Sequence, residues 1–150
     1  MRVVIQRVKS ACCHIANERY SEIDKGLVVL VGVGNDDGEE DVAWLVKKIL
    51  ALRIFDDEAG VMNRSVEDVE GDIMLISQFT LHAMTKKGNR PSWIKAAPEA
   101  ISRPLYERFI EEVEHNFKGK VATGRFGADM QIELINDGPV TILMDTKNRE

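Results

Sequence analysis

Hydrophobic and polar positions change their period along the chain in a way that separates strands from helices. RVVIQRV at 2–8 is short, β-branched and alternating, which predicts a strand. A weaker hairpin is expected next, with arms at 11–16 and 19–23 and a turn at Asn17-Glu18. GLVVLVGV at 26–33 is almost wholly apolar, as in a strand buried on both faces. The acidic stretch NDDGEED then signals a helix start, and Val42, Leu45, Val46, Ile49 and Leu52 recur at helical spacing as one stripe. DIMLISQFTL at 72–81 reads as a second buried strand whose end turns polar. A second helix is expected to begin near Ser102 and Pro104, with Leu105, Phe109, Ile110, Val113 and Phe117 on its apolar face. Three strands close the chain at roughly 121–126, 130–136 and 140–146. No repeat, low-complexity tract or linker interrupts this order. The expectation is a single mixed α/β domain over residues 1–150, strand-rich, with two main helices.

Composition narrows the function classes. At 44% hydrophobic and 30% charged the chain is ordinary for a globular protein, and a net charge of −5 excludes a generally basic nucleic-acid coat. Any nucleic acid must therefore meet a local basic patch. The N-terminal MRVVIQRVKS lacks the apolar core of a signal peptide, and no apolar run reaches the length of a membrane span. Cys12 and Cys13 are adjacent and followed by His14, a set too small for a closed zinc site. They read as reduced, structural thiols in a cytoplasmic protein.

Several motifs carry less than they promise. GVGNDDG at 32–38 has its third glycine one position too late for a dinucleotide fingerprint. Its Asp36 and Asp37 also stand where a pyrophosphate would approach. No serine sits in a G-x-S-x-G elbow. Of the three histidines, His115 lies late in a helix and His14 on a strand. His82 follows Thr80 at even spacing, so a strand through both would set hydroxyl and imidazole on one face. No orienting acid follows, and no metal site is expected from such scattered histidines.

The densest polar chemistry lies in SQFTLHAMTKKGNRPSW at 77–93. A buried strand ends in Ser77, Gln78, Phe79 and Thr80, and strand ends are where α/β sheets place ligands. Lys86, Lys87 and Arg90 follow as a basic loop with Trp93 nearby, a local reversal of sign that suits an anionic partner or a plain solvated turn. Near the C-terminus LINDGPVTILMD sets Gly138-Pro139 between two apolar stretches. A hairpin whose second strand begins with proline explains it locally, while a cis peptide bond is the minority form.

SQFTL at 77–81, TKKGNRPSW at 85–93, GRFGADMQIELINDGPVT at 124–141 and the opening RVVIQRV together closely resemble the bacterial D-aminoacyl-tRNA deacylase family, over essentially the whole chain. Met84 before Thr85 departs from the acidic residue more common there. The resemblance implies a barrel-like fold of layered mixed β-sheets with two helices packed on one side. It also implies a homodimer with sites at the subunit interface and no cofactor. The implied reaction is hydrolysis of the ester joining a D-amino acid, or glycine, to the 3′-terminal adenosine of tRNA. By the same resemblance Ser77, Gln78, Phe79 and Thr80 form one wall of the pocket. Gly138 and Pro139 reach into the partner's pocket with a cis bond, Arg7 holds that segment, and Phe126 and Met130 line the pocket. Lys86, Lys87 and Arg90 become the candidate tRNA contacts. No DNA or membrane partner is expected. The alternative is a non-catalytic nucleic-acid-binding relative of the same fold.

Overall fold

A computed structural model describes the whole chain, Met1–Glu150. In chain order it contains β1 (Arg2–Ile15), β2 (Glu18–Ile23), β3 (Gly26–Gly32), α1 (Glu39–Leu50), β4 (Phe55–Asp56), β5 (Met62–Arg64) and β6 (Asp72–Ser77). A 3₁₀ turn (Phe79–His82), α2 (Glu99–Asn116), β7 (Val121–Thr123) and β8 (Met130–Asp145) follow. Six strands form one mixed sheet in the order β2-β1-β3-β6-β7, with β8 on the remaining edge of β1. The β3–β6 and β6–β7 pairs are parallel and the others antiparallel. The Ser21 hydroxyl of β2 donates to the Thr123 carbonyl of β7 at 2.7 Å, which draws the two ends of the sheet toward each other into a nearly closed barrel.

The alternation within β3 and β6 explains their continuous apolar runs. Leu27, Val29, Val31, Ile73 and Leu75 face the layer formed by α1 and α2, where they join Val42, Leu45, Ile49, Phe109 and Val113 in the larger core. Val28, Met74 and Ile76 point to the other face and meet Val8, Ala11, Cys13, Ile23 and Ala122 inside the barrel. Both faces of these strands are thus removed from water, as a parallel pair requires.

Three expectations need correction. The 2–8 strand and the first hairpin arm are one strand, β1, whose pairing with β8 shifts register around Val8. Those shifts let odd-numbered Ala11 and Cys13 join Val8 inside the barrel, whereas odd-numbered Val3 and Ile5 face the helices. A bulge bends and twists a strand in this way, and here it wraps the sheet. The two closing strands at 130–136 and 140–146 likewise merge into β8, so LINDGPVTILMD is no hairpin. Five residue steps on β8, Asn136 to Thr141, oppose two on β1, Val8 to Gln6, and the surplus is accommodated as a bulge. Finally, α2 begins at Glu99, not at Ser102. Extended Pro98 starts it and its carbonyl accepts from both Ile101 and Ser102 N–H at 2.9 Å, leaving Pro104 inside the second turn.

Candidate active site

The strand at 72–81 ends sooner than its apolar pattern implies, and that shortening makes the site. β6 stops at Ser77, Gln78 N–H still donates to the Val31 carbonyl at 2.7 Å, and the chain then tightens into the 3₁₀ turn. Leu81 and Ala83 close this turn onto Gln78 and Thr80 carbonyls, whereas the N–H groups of Phe79 and Thr80 find no acceptor. Free N–H groups at the head of a helical turn are the expected result of that geometry.

These residues open onto a pocket of about 310 Å³ walled by Ser77, Gln78 and Phe79 on one side and Phe126, Met130 and Ile132 on the other. The structure therefore brings together Ser77, Gln78, Phe79, Phe126 and Met130. Thr80 stands behind them. Its hydroxyl accepts from the Gln78 amide Nε2 at 2.6 Å. An amide donor cannot take a proton from that hydroxyl, so Thr80 has no general base at hand.

The strand-based pairing of Thr80 with His82 does not form. In a 3₁₀ turn residues two apart point in different directions, and His82 turns inward instead, 7% exposed, with Nε2 unpartnered. Burial pushes its pKa below the ordinary value; the Arg2 guanidinium and Met1 ammonium add to this, and the Gly32 backbone and Asp37 carboxylate oppose it. His115 is exposed near the end of α2. His14 Nε2 lies 3.6 Å from the Cys12 sulfur, and both cysteines are free.

Two lining residues on α2, Ser102 and Tyr106, are not among the site candidates that the sequence offers. Tyr106 falls three positions before Phe109 and seven before Val113, so helical spacing alone marked it for the buried face. Its hydroxyl donates to the Leu75 carbonyl at 2.8 Å, and burial drives its pKa far above the usual phenol value. Its ring packs 5.8 Å from that of Phe126, which also carries the Arg103 guanidinium at 5.2 Å.

The Gly138–Pro139 peptide is cis, exposed, and lies in the β8 bulge rather than in this pocket. Arg7 is 6% exposed and holds the bulge from beneath: its Nε donates to the Asp137 carbonyl at 2.8 Å and Nη1 to the Ile54 carbonyl at 2.6 Å. Asn136 braces the bulge from within the strand. Its Oδ1 accepts from Val140 N–H at 2.8 Å, and its Nδ2 donates to the Val140 carbonyl at 3.1 Å. Gly138 has φ +146, and a β-carbon there would stand 2.7 Å from Val140 Cγ2 and 2.8 Å from Val140 N. Lys86, Lys87 and Arg90 are exposed in a loop that Met84 and Ser92 close by exchanging backbone hydrogen bonds of 2.9 and 3.0 Å.

The family model described as D-Tyr-tRNA(Tyr) deacylase matches residues 4–145. The chain belongs to this family. Curated D-aminoacyl-tRNA deacylases of Bacteroides thetaiotaomicron and Flavobacterium johnsoniae are 59% and 57% identical over 150 residues, covering all of both chains in each case. The solved c-Myc DNA Unwinding Element Binding Protein superposes with a TM-score of 0.93 at 37% identity, covering 97% of this chain and 99% of its own. The structure described as a probable eukaryotic D-amino acid tRNA deacylase gives a TM-score of 0.82 at 20% identity over 95% of this chain and 97% of its own, a likeness of fold. The family thus shares the nearly closed barrel with its helices on one side. No helix here is long and apolar enough to cross a membrane.

Proposed function

We propose that this chain hydrolyses the ester of D-aminoacyl-tRNA, releasing the free D-amino acid and tRNA. The observation that carries this reading is the pocket walled by Gln78 and Phe79, where the N–H groups of Phe79 and the adjoining Thr80 are unpaired. Water attacks the ester carbonyl carbon, and the charge that develops on the carbonyl oxygen is met by these N–H donors. The bond to the ribose 3′-oxygen then breaks. With the Thr80 hydroxyl engaged by an amide, the neighbouring ribose 2′-hydroxyl is the group that assists the water, and the protein chiefly positions the ester.

Selectivity follows from rejection. D- and L-aminoacyl groups differ in the direction in which the side chain leaves Cα. A rigid wall of backbone carbonyls, set against the L direction, excludes every L residue whatever its chemistry. Gly138 and Pro139 supply that wall, held by Arg7 and Asn136. Glycine has nothing to reject, so Gly-tRNA is hydrolysed too.

The wall belongs to the partner's pocket. Gly138 and Pro139 are exposed and do not line the pocket of their own chain. β8 is an edge strand of 16 residues with Ile135 and Leu143 57% and 69% exposed, an edge that natural sheets cover. A homodimer with sites at its interface satisfies both observations, with residues 1–150 as one catalytic domain acting in the cytoplasm, where aminoacyl-tRNA is used.

The second reading, a non-catalytic nucleic-acid-binding relative, is favoured by the likeness to the c-Myc DNA Unwinding Element Binding Protein. The curated deacylases are closer in sequence, and a pure binder has no need of free N–H groups beside a pocket. Incubation with D-Tyr-tRNA and L-Tyr-tRNA tests the proposal: release of D-tyrosine alone supports it, and protection of both esters sinks it.

A further inference from the structure

Phe79 does more than wall the pocket. It is 54% exposed, and the Trp93 ring meets it edge-on with centroids 5.2 Å apart at 75°. Trp93 is itself 40% exposed and lies outside the pocket lining, and Ile94 beside it is 74% exposed. Large apolar side chains clustered in water beside a pocket mouth contribute little to packing and mark a contact surface.

This step is held rigid. The Met84–Ser92 pair closes the chain just before Trp93. Immediately after it, the Asn35 amide donates to the Ile94 carbonyl at 2.9 Å and Ala97 N–H donates to the Val33 carbonyl at 2.9 Å. Along the segment that carries Trp93 the charge has one sign. No Asp or Glu occurs between Asp72 and Glu99, whereas Lys86, Lys87, Arg90 and Lys95 all fall there, on a chain whose net charge is −5.

An exposed aromatic ring borne on a segment whose charged side chains are all cationic is a surface that single-stranded nucleic acid takes, with bases on the rings and phosphates along the cations. A duplex keeps its bases stacked inside and presents only its backbone, leaving Trp93 without a role. Resting on the proposed esterase activity, we infer that Trp93 is the stacking platform for the unpaired nucleotide preceding the terminal adenosine of the substrate. Lys95 and the 86–90 loop hold its phosphates as the 3′ end enters the pocket.

Two measurements test this. Hydrolysis of D-Tyr-tRNA is compared with that of D-tyrosyl-adenosine, which carries the ester but no preceding nucleotide. Trp93→Ala raises KM for the tRNA about fivefold or more, the lower range for loss of a stacking aromatic. It leaves KM for the adenosine ester within about twofold, and Trp93→Phe recovers most of the loss. Equal effects on both substrates, or none on either, overturn the inference. The second measurement needs no catalysis. Trp44 lies apart on α1 under Lys48 and Arg149, so a Trp44→Phe protein has Trp93 as its sole tryptophan. The trinucleotide CCA is expected to quench its fluorescence saturably. Absence of quenching in a protein that hydrolyses D-Tyr-tRNA overturns the platform and leaves the esterase standing. Quenching without hydrolysis keeps the platform and removes the esterase; neither removes both.

Discussion

Arg7 Nε donates to the carbonyl of Asp137 at 2.8 Å, tying the middle of β1 to the peptide that immediately precedes Gly138. The same guanidinium reaches the Ile54 carbonyl at 2.6 Å and the Asp56 carboxylate at 3.3 Å, so one buried fork fixes the β8 bulge against the segment after α1. Lysine keeps the charge and loses the fork. Arg7→Lys is therefore expected to lower stability by about 2 kcal/mol, since hydrogen bonds from a charged donor to buried carbonyls are lost. It should also reduce kcat/KM on D-Tyr-tRNA more than tenfold. Urea midpoints and deacylation rates on the same preparation check both, and an unchanged rate would detach Arg7 from the site.

Gly138→Ala is expected to be worse for activity than any other glycine-to-alanine change at positive φ. The new β-carbon meets Val140 at 2.7–2.8 Å on backbone at φ +146, whereas Gly60 at φ +74 has nothing within 4 Å. Gly60→Ala thus carries only backbone strain, about 1 kcal/mol or slightly more, with full activity. Comparing the two variants by thermal melt and by deacylation separates strain from loss of the wall.

The Gln78–Thr80 hydrogen bond of 2.6 Å sets a prediction for the hydroxyl. Thr80→Ala keeps kcat within about tenfold, because no proton transfer runs through that oxygen. Phe79→Pro removes one of the two free N–H groups and lowers kcat about 10²–10³-fold, as loss of an oxyanion donor does. Phe79→Ala, which keeps the N–H, is the control. Near-total inactivity of both Thr80→Ala and Thr80→Ser would count against the substrate-assisted reading.

His82 makes stability depend on pH. Its folded pKa lies below the ordinary 6.5, so below pH 6.5 the unfolded chain binds the proton first. The stability that neutral His82 allows is fully present above pH 6.5 and lost as pH falls through the folded pKa. Thermal melts from pH 7.5 to 5 should show a downward slope in the native protein and a flatter one in His82→Leu. Equal slopes would place the titration elsewhere.

Much of this fold was legible in alternation. The doubly buried β3, β6 as far as Ser77, and the stripe of α1 stand where their patterns put them, because burial on two faces or one leaves a direct trace in residue type. The bulges did not show, since Arg7 reads as an ordinary position within the 2–8 strand and Asn136 as the end of the 130–136 strand. Their side chains instead bond the backbone across the break. The turn at Phe79–His82 was hidden for a related reason: SQFTL keeps a strand's residue preferences, and the tightening onto the Gln78 and Thr80 carbonyls is a tertiary event. The candidate site residues stand out by a polar strand end and by resemblance, not by periodicity. Tyr106, which joins them in the pocket lining, is the one that helical spacing marks.

Chiral rejection is the central claim, and three substrates assayed side by side test it most directly. The purified protein is given D-Tyr-tRNA, L-Tyr-tRNA and Gly-tRNA at equal concentration, and release of the free amino acid is followed. The account predicts rapid loss of the D-tyrosyl and glycyl esters with the L-tyrosyl ester intact. Cleavage of L-Tyr-tRNA at a rate near that of the D form, or protection of the D form, would contradict it.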